Sequence, residues 1–166
     1  MFDPPKNLSG LDLLTGLTSL GFNLYEDIEY IPPLSSLSAV TKIDIDIYPN
    51  VSNPSLVDLT SWMSGMPAVE TLNIHGGVVH AKIVKLPKLK TVTIEQMNMN
   101  QARMAVDAMK DLPALTTVTV QRCDYTTGLP HLEQLPPVRT LTVEGCENLI
   151  ELSHLEHLSN LETLTI

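Results

Sequence analysis

Apolar and polar residues alternate in seven short segments of this chain, and the same spacing of larger apolar residues introduces each one. The segments read LTGLTSLGF (14–22), LSAVTKIDI (37–45), MPAVETLNI (66–74), LPKLKTVTI (86–94), LPALTTVTV (112–120), LPPVRTLTV (135–143) and LSNLETLTI (158–166). All keep an apolar residue at their first, fourth, seventh and ninth positions. The alternation over the last five positions has a period of two, which predicts a strand with one buried and one open face. Counted at the fourth position (Leu17, Val40, Val69, Leu89, Leu115, Val138, Leu161), the steps are 23, 29, 20, 26, 23 and 23 residues. One strand per step of this length cannot bury its apolar face alone. Successive strands are therefore expected to stack side by side in parallel.

The intervals between segments differ. Asn53 as an N-cap with Pro54 at the first helical position predicts a helix ending near Gly65. A second helix is expected from Gln101, with Ala102, Ala105, Val106, Met109 and Leu112 on one face and Asn100 as its cap. The interval after Val69 has room only for Gly76-Gly77 and an extended return over 78–84. Residues 1–16 read as an N-terminal cap in which Leu8, Leu11 and Leu14, with Leu17, cover the first repeat and Asn7 or Ser9 starts a helical turn. The proposed register puts Glu70 beside Lys90 and Arg139 beside Glu162, opposite charges on neighbouring strands.

The phrase L-x-x-L-x-L-x-x-C, found in LTTVTVQRC (115–123) and in VRTLTVEGC (138–146), resembles the leucine-rich-repeat family in its cysteine-bearing variant. The stretch from Cys146 to Ile166 is similar to repeats of intracellular immune receptors and of several bacterial effectors. The resemblance implies one α/β domain over 1–166. Its form would be a right-handed leucine-rich-repeat solenoid with a parallel concave sheet of about seven short strands and mixed helical and extended convex segments. It also implies that Cys123 and Cys146 make contacts to the loop backbone. The matching places in other repeats are Met97, Gly77, Tyr48 and Tyr25, which depart from that pattern. A fold of this kind serves many unrelated tasks, so the resemblance says little of activity.

Composition narrows the partners. Nineteen acids against ten bases give a formal charge of −9, which disfavours nucleic acid and anionic membranes and favours a protein partner with a basic segment. Two Phe and one Trp leave an aliphatic core. The first ten residues lack the basic start and apolar run of a signal peptide, and no apolar stretch reaches the ~18 residues of a membrane span. The two cysteines lie one period apart with no sign of disulfide-bonded caps. A cytoplasmic setting is expected.

Alternation also names the open face. Two columns are mostly threonine: Lys42, Thr71, Thr91, Thr117, Thr140, then Asp44, Asn73, Thr93, Thr119, Thr142. A third column runs Asp46, His75, Glu95, Gln121, Glu144, with acids about 10 Å apart on every second strand. This surface is the expected partner-binding site. The final segment has no capping sequence, so Leu161, Leu164 and Ile166 are expected to form an open edge through which a homodimer could pair. His131 and His154, like Glu133 and Glu156, are one period apart, and His157 follows. They read as a duplicated surface motif, and no metal or cofactor is assigned. No phosphate loop, nucleophile elbow or Cys–His pair supports catalysis. The function expected is a protein–protein interaction module rather than an enzyme. The alternatives are the recognition domain of a longer effector or receptor, and a scaffold that self-associates through its C-terminal edge.

Overall fold

A computed structural model describes residues 7–24, 30–47, 63–76, 86–96, 98–123, 127–129 and 131–166. Its main feature is one sheet of seven parallel strands in the order of the sequence: β1 (Ser19–Leu24), β2 (Lys42–Ile47), β3 (Thr71–His75), β4 (Thr91–Glu95), β5 (Thr117–Gln121), β6 (Thr140–Glu144) and β7 (Thr163–Thr165). Ser19 pairs with Lys42, Lys42 with Thr71, Thr71 with Thr91, Thr91 with Thr117, Thr117 with Thr140, and Thr140 with Thr163. These pairings reproduce the uneven steps of the sequence. The intervals absorb every length difference and the strands absorb none.

A hydrogen-bonded turn leads into β1, β2, β4, β5 and β7. Val40 N–H donates to Leu37 O at 3.3 Å, Leu89 N–H to Leu86 O at 3.2 Å, and Leu115 N–H to Leu112 O at 3.4 Å. Pro87 and Pro113 occupy the second position of two of these turns, where a fixed φ near −65° is already the right one. The turn points its first and fourth side chains the same way, into the core. Leu37, Val40, Met66, Val69, Leu86, Leu89, Leu112, Leu115 and Val138 are each at most 1% exposed. Behind them lie the inward strand residues, among them Ile43, Ile45, Leu72, Ile74, Val92, Val118 and Leu141, all buried. Each such side chain contributes about 1.5–3 kcal/mol relative to remaining in water.

The ends depart from the pattern. Leu14 stands in the place filled elsewhere by buried residues, yet it is 53% exposed, at the edge of the sheet where β1 is the first described strand. Leu8, Leu11 and Leu17 pack against the core, Leu11 from the start of a short 3₁₀ turn (Leu11–Leu13). This turn begins at Gly10, while Asn7 accepts from Ser9 N–H at 2.8 Å just ahead of it. At the other end Leu161 is partly buried, whereas Leu164 and Ile166 are 42% and 77% exposed.

The helix α1 (Met99–Met109) starts two residues before the expected Gln101, and its cap is Asn98 rather than Asn100. Asn98 Oδ1 accepts from Gln101 N–H at 3.1 Å, and Gln101 Oε1 accepts from Asn98 N–H at 2.7 Å. This reciprocal box satisfies two backbone donors that the first turn would otherwise leave unpaired. Ala105, Val106, Met109 and Leu112 are buried, as the spacing requires. Of the helix expected over 53–65, only residues 63–65 fall among those described, and the extended return over 78–84 lies outside them. Among the described residues no helix is long and apolar enough to cross a membrane.

Candidate functional site: the open face of the sheet

The outward residues of β2–β7 form three columns, the third ending at β6, because parallel pairing in unbroken register puts like positions side by side. The first runs Lys42, Thr71, Thr91, Thr117, Thr140, Thr163; the second Asp44, Asn73, Thr93, Thr119, Thr142, Thr165; the third Asp46, His75, Glu95, Gln121, Glu144. Every column is the one the alternation predicts. Inward neighbours are buried while most of these side chains are half-buried, so the sheet has one packed and one open face.

Polar contacts tie the charged residues to one another. Lys42 Nζ lies 3.0 Å from Asp44 Oδ2, and Asn73 Nδ2 donates to Asp44 Oδ1 at 2.7 Å. Partial burial alone would raise the Asp44 carboxyl, but the Asn73 hydrogen bond and the Lys42 ammonium outweigh it and hold it below the ordinary aspartate value. His75 Nδ1 is 2.6 Å from Glu95 Oε2; a carboxylate only accepts, so Nδ1 carries the shared hydrogen. The other Glu95 oxygen accepts from Arg122 Nη1 at 2.9 Å. Gln121 Nε2 donates to Glu144 Oε2 at 3.0 Å.

This arrangement changes the character of the acidic column. Glu95 is held between His75 and Arg122 with its side chain only 14% exposed, so it is a structural anion rather than a free one. Glu144, by contrast, is exposed, and among the described residues its carboxylate accepts from a neutral amide alone. Arg122 escaped the sequence reading because it lies one residue past β5, outside the alternating pattern. Its signal was positional. Arg122 follows its strand as Gly76 and Gly145 follow theirs, and these residues, with Gln96, take positive φ of 52°, 70°, 62° and 59° respectively. The left-handed turn ends the strand, and Arg122 returns to Glu95 on the adjacent strand from it.

Just beyond these turns lie the two cysteines, Cys123 buried and Cys146 partly so. Cys123 N–H donates to Cys146 Sγ at 3.3 Å, and the thiols approach Gln121 O and Glu144 O at 3.4 and 3.6 Å. They tie turn to turn. The matching positions 25, 48, 77 and 97 lie outside the described residues. Along the opposite border of the face, Glu70 and Lys90 pair at 3.1 Å, and Arg139 pairs with Glu162.

No protein-family model matches this sequence, and no curated protein matches it.

Proposed function

We propose that the chain is a leucine-rich-repeat solenoid acting as a protein-recognition module, with the open Thr- and acid-bearing face as its binding surface. The observation that carries this reading is the face itself: three polar columns in continuous register across the sheet, backed by a close-packed aliphatic core. Such a surface is rigid before it binds, so ordering it consumes little of the binding free energy. Its composition suits an extended segment with basic side chains. Lys42 and Arg122 offset only two of the four carboxylates Asp44, Asp46, Glu95 and Glu144. Of these, Asp46 and Glu144 mark the two ends of the third column.

The test is selection from a phage-displayed random peptide library, followed by affinity measurements against Asp46→Lys and Glu144→Lys. Peptides rich in Lys and Arg that lose at least about tenfold affinity (about 1.4 kcal/mol) on reversal support the reading. Failure to enrich any peptide, or unchanged affinity in both variants, removes it. Glu95 is a poor choice for reversal, because a lysine there would disturb His75 and Arg122.

A second reading, self-association through β7, draws on the exposure of Leu164 within this three-residue strand and of Ile166 next to it. Solution mass by light scattering separates the two. A dimer that becomes monomeric on Leu164→Lys favours the edge, and a monomer disfavours it.

A further inference from the structure

We propose that His154, Glu156 and His157 form a three-ligand site for a zinc-type divalent cation on the turn that leads into β7. One ligand atom from each residue lies within 4.8 Å of the others. The His154 Nδ1 and His157 Nε2 atoms are 3.8 and 3.7 Å from the same carboxylate oxygen, Glu156 Oε1. Zinc binds nitrogen and oxygen at about 2.0–2.1 Å, so the ligand atoms of a tetrahedral site stand about 3.3 Å apart. The two distances to Glu156 exceed this by about 0.5 Å and the two imidazole nitrogens stand within 4.8 Å of each other, a closure that exposed side chains make by χ rotations. An octahedral ion would require edges near 3.0 Å, a poorer fit. Three protein ligands leave the fourth position to water.

Backbone geometry explains why the three converge. His154 precedes the 3₁₀ turn Leu155–His157 in the left-handed conformation, φ 67°, and His157 N–H donates to His154 O at 3.1 Å. Residues three apart eclipse in a 3₁₀ turn, so the two imidazoles share one side, with ring centroids 5.9 Å apart.

The protein holds its own comparison. One repeat earlier, HLEQL (131–135) builds the same turn: His131 has φ 67° and precedes the 3₁₀ turn Leu132–Gln134. Only the third ligand position differs, Gln134 standing where the later turn has His157. There Gln134 Nε2 lies 2.8 Å from His131 Nδ1, and Asp107 stands 3.5 Å from the same nitrogen. The earlier imidazole is committed to an amide and a carboxylate; the later pair face each other across Glu156. The later turn borders a groove of about 300 Å³ lined by Gly128, His131, Glu151 and His154 among others, which leaves approach to His154 open.

The experiment is calorimetric titration of the full chain with zinc chloride, with cobalt(II) absorption reporting tetrahedral geometry. The variants are His157→Gln and His131→Ala. His157→Gln rewrites the turn as its neighbour, a sequence this protein already folds, and unchanged circular dichroism checks that it does. One zinc per chain is expected, weakened at least about tenfold by His157→Gln and left within about twofold by His131→Ala. No binding by the wild type, equal binding by His157→Gln, or an equal loss in His131→Ala would each overturn the assignment.

Discussion

Replacing Gly76 by alanine should harm the protein far more than replacing Gly145, although both follow a strand with left-handed φ, 70° and 62°. Any L-residue pays about 1–2 kcal/mol for that conformation, and this part is common to both. The surroundings differ. A Cβ on Gly145 would meet only Arg122, its nearest atom 3.8 Å away, an ordinary contact. A Cβ on Gly76 would lie 2.4 Å from the Ile47 carbonyl oxygen, a backbone atom with no rotamer to escape by. Relief requires the end of β2 to part from the turn after β3 by close to 1 Å, where Gly76 N–H also donates to Glu95 O at 2.9 Å. Overpacking of this kind adds about 1–3 kcal/mol. Gly145→Ala should therefore lose about 1–2 kcal/mol and Gly76→Ala about 2–5 kcal/mol. In a domain of this size each kcal/mol lowers Tm by about 2–4 °C. Urea unfolding followed by far-UV circular dichroism measures both variants on one scale. Equal losses would refute the reasoning, for they would mean that the contact with Ile47 relaxes at no cost.

Three further outcomes follow from the same geometry. Leu72→Ala, at a fully buried position, should cost about 2–5 kcal/mol, while Leu164→Ala, 42% exposed, should cost well under half of that; chemical denaturation compares them. Asn98→Ala removes one half of the capping box and should lower stability by about 0.5–2 kcal/mol, with fraying confined to the first turn of α1 in amide exchange. Asp44 should titrate below an ordinary aspartate in carboxyl NMR. Its contribution to stability is then fully present above the unfolded value and is lost as pH falls through the lower folded one, and Asn73→Ala should move the midpoint upward.

The strands were legible because their information is local and repeated. A five-residue alternation and a fixed lead-in of two apolar residues specify both face and register, and the threonine columns follow from them. What escaped was set between repeats. Leu14 carries the same local signal as Leu37, yet burial depends on flanking strands, and among the described residues β1 has a strand on one side alone. Asn98 and Asn100 are equally good caps by residue type, and the choice between them rests on Gln101 reaching back to the chosen one. Arg122 lies outside the alternating pattern, and the left-handed turn after β5 brings it to Glu95. The acidic column was read correctly as positions but not as charges, since pairing is a property of side chains across strands.

A chain whose described strands each pair with their predecessor and successor in sequence should yield to mechanical pulling one step at a time. Loads applied at the two ends run along the stack rather than across a sheet that must shear at once. A terminal strand can peel away while the next remains seated. Releasing a repeat such as that between Thr140 and Thr163 would lengthen the molecule by about 80 Å, at roughly 3.5 Å per freed residue. The uneven intervals would then appear as steps of uneven length, so that a force trace would read out the spacing of the repeats in order.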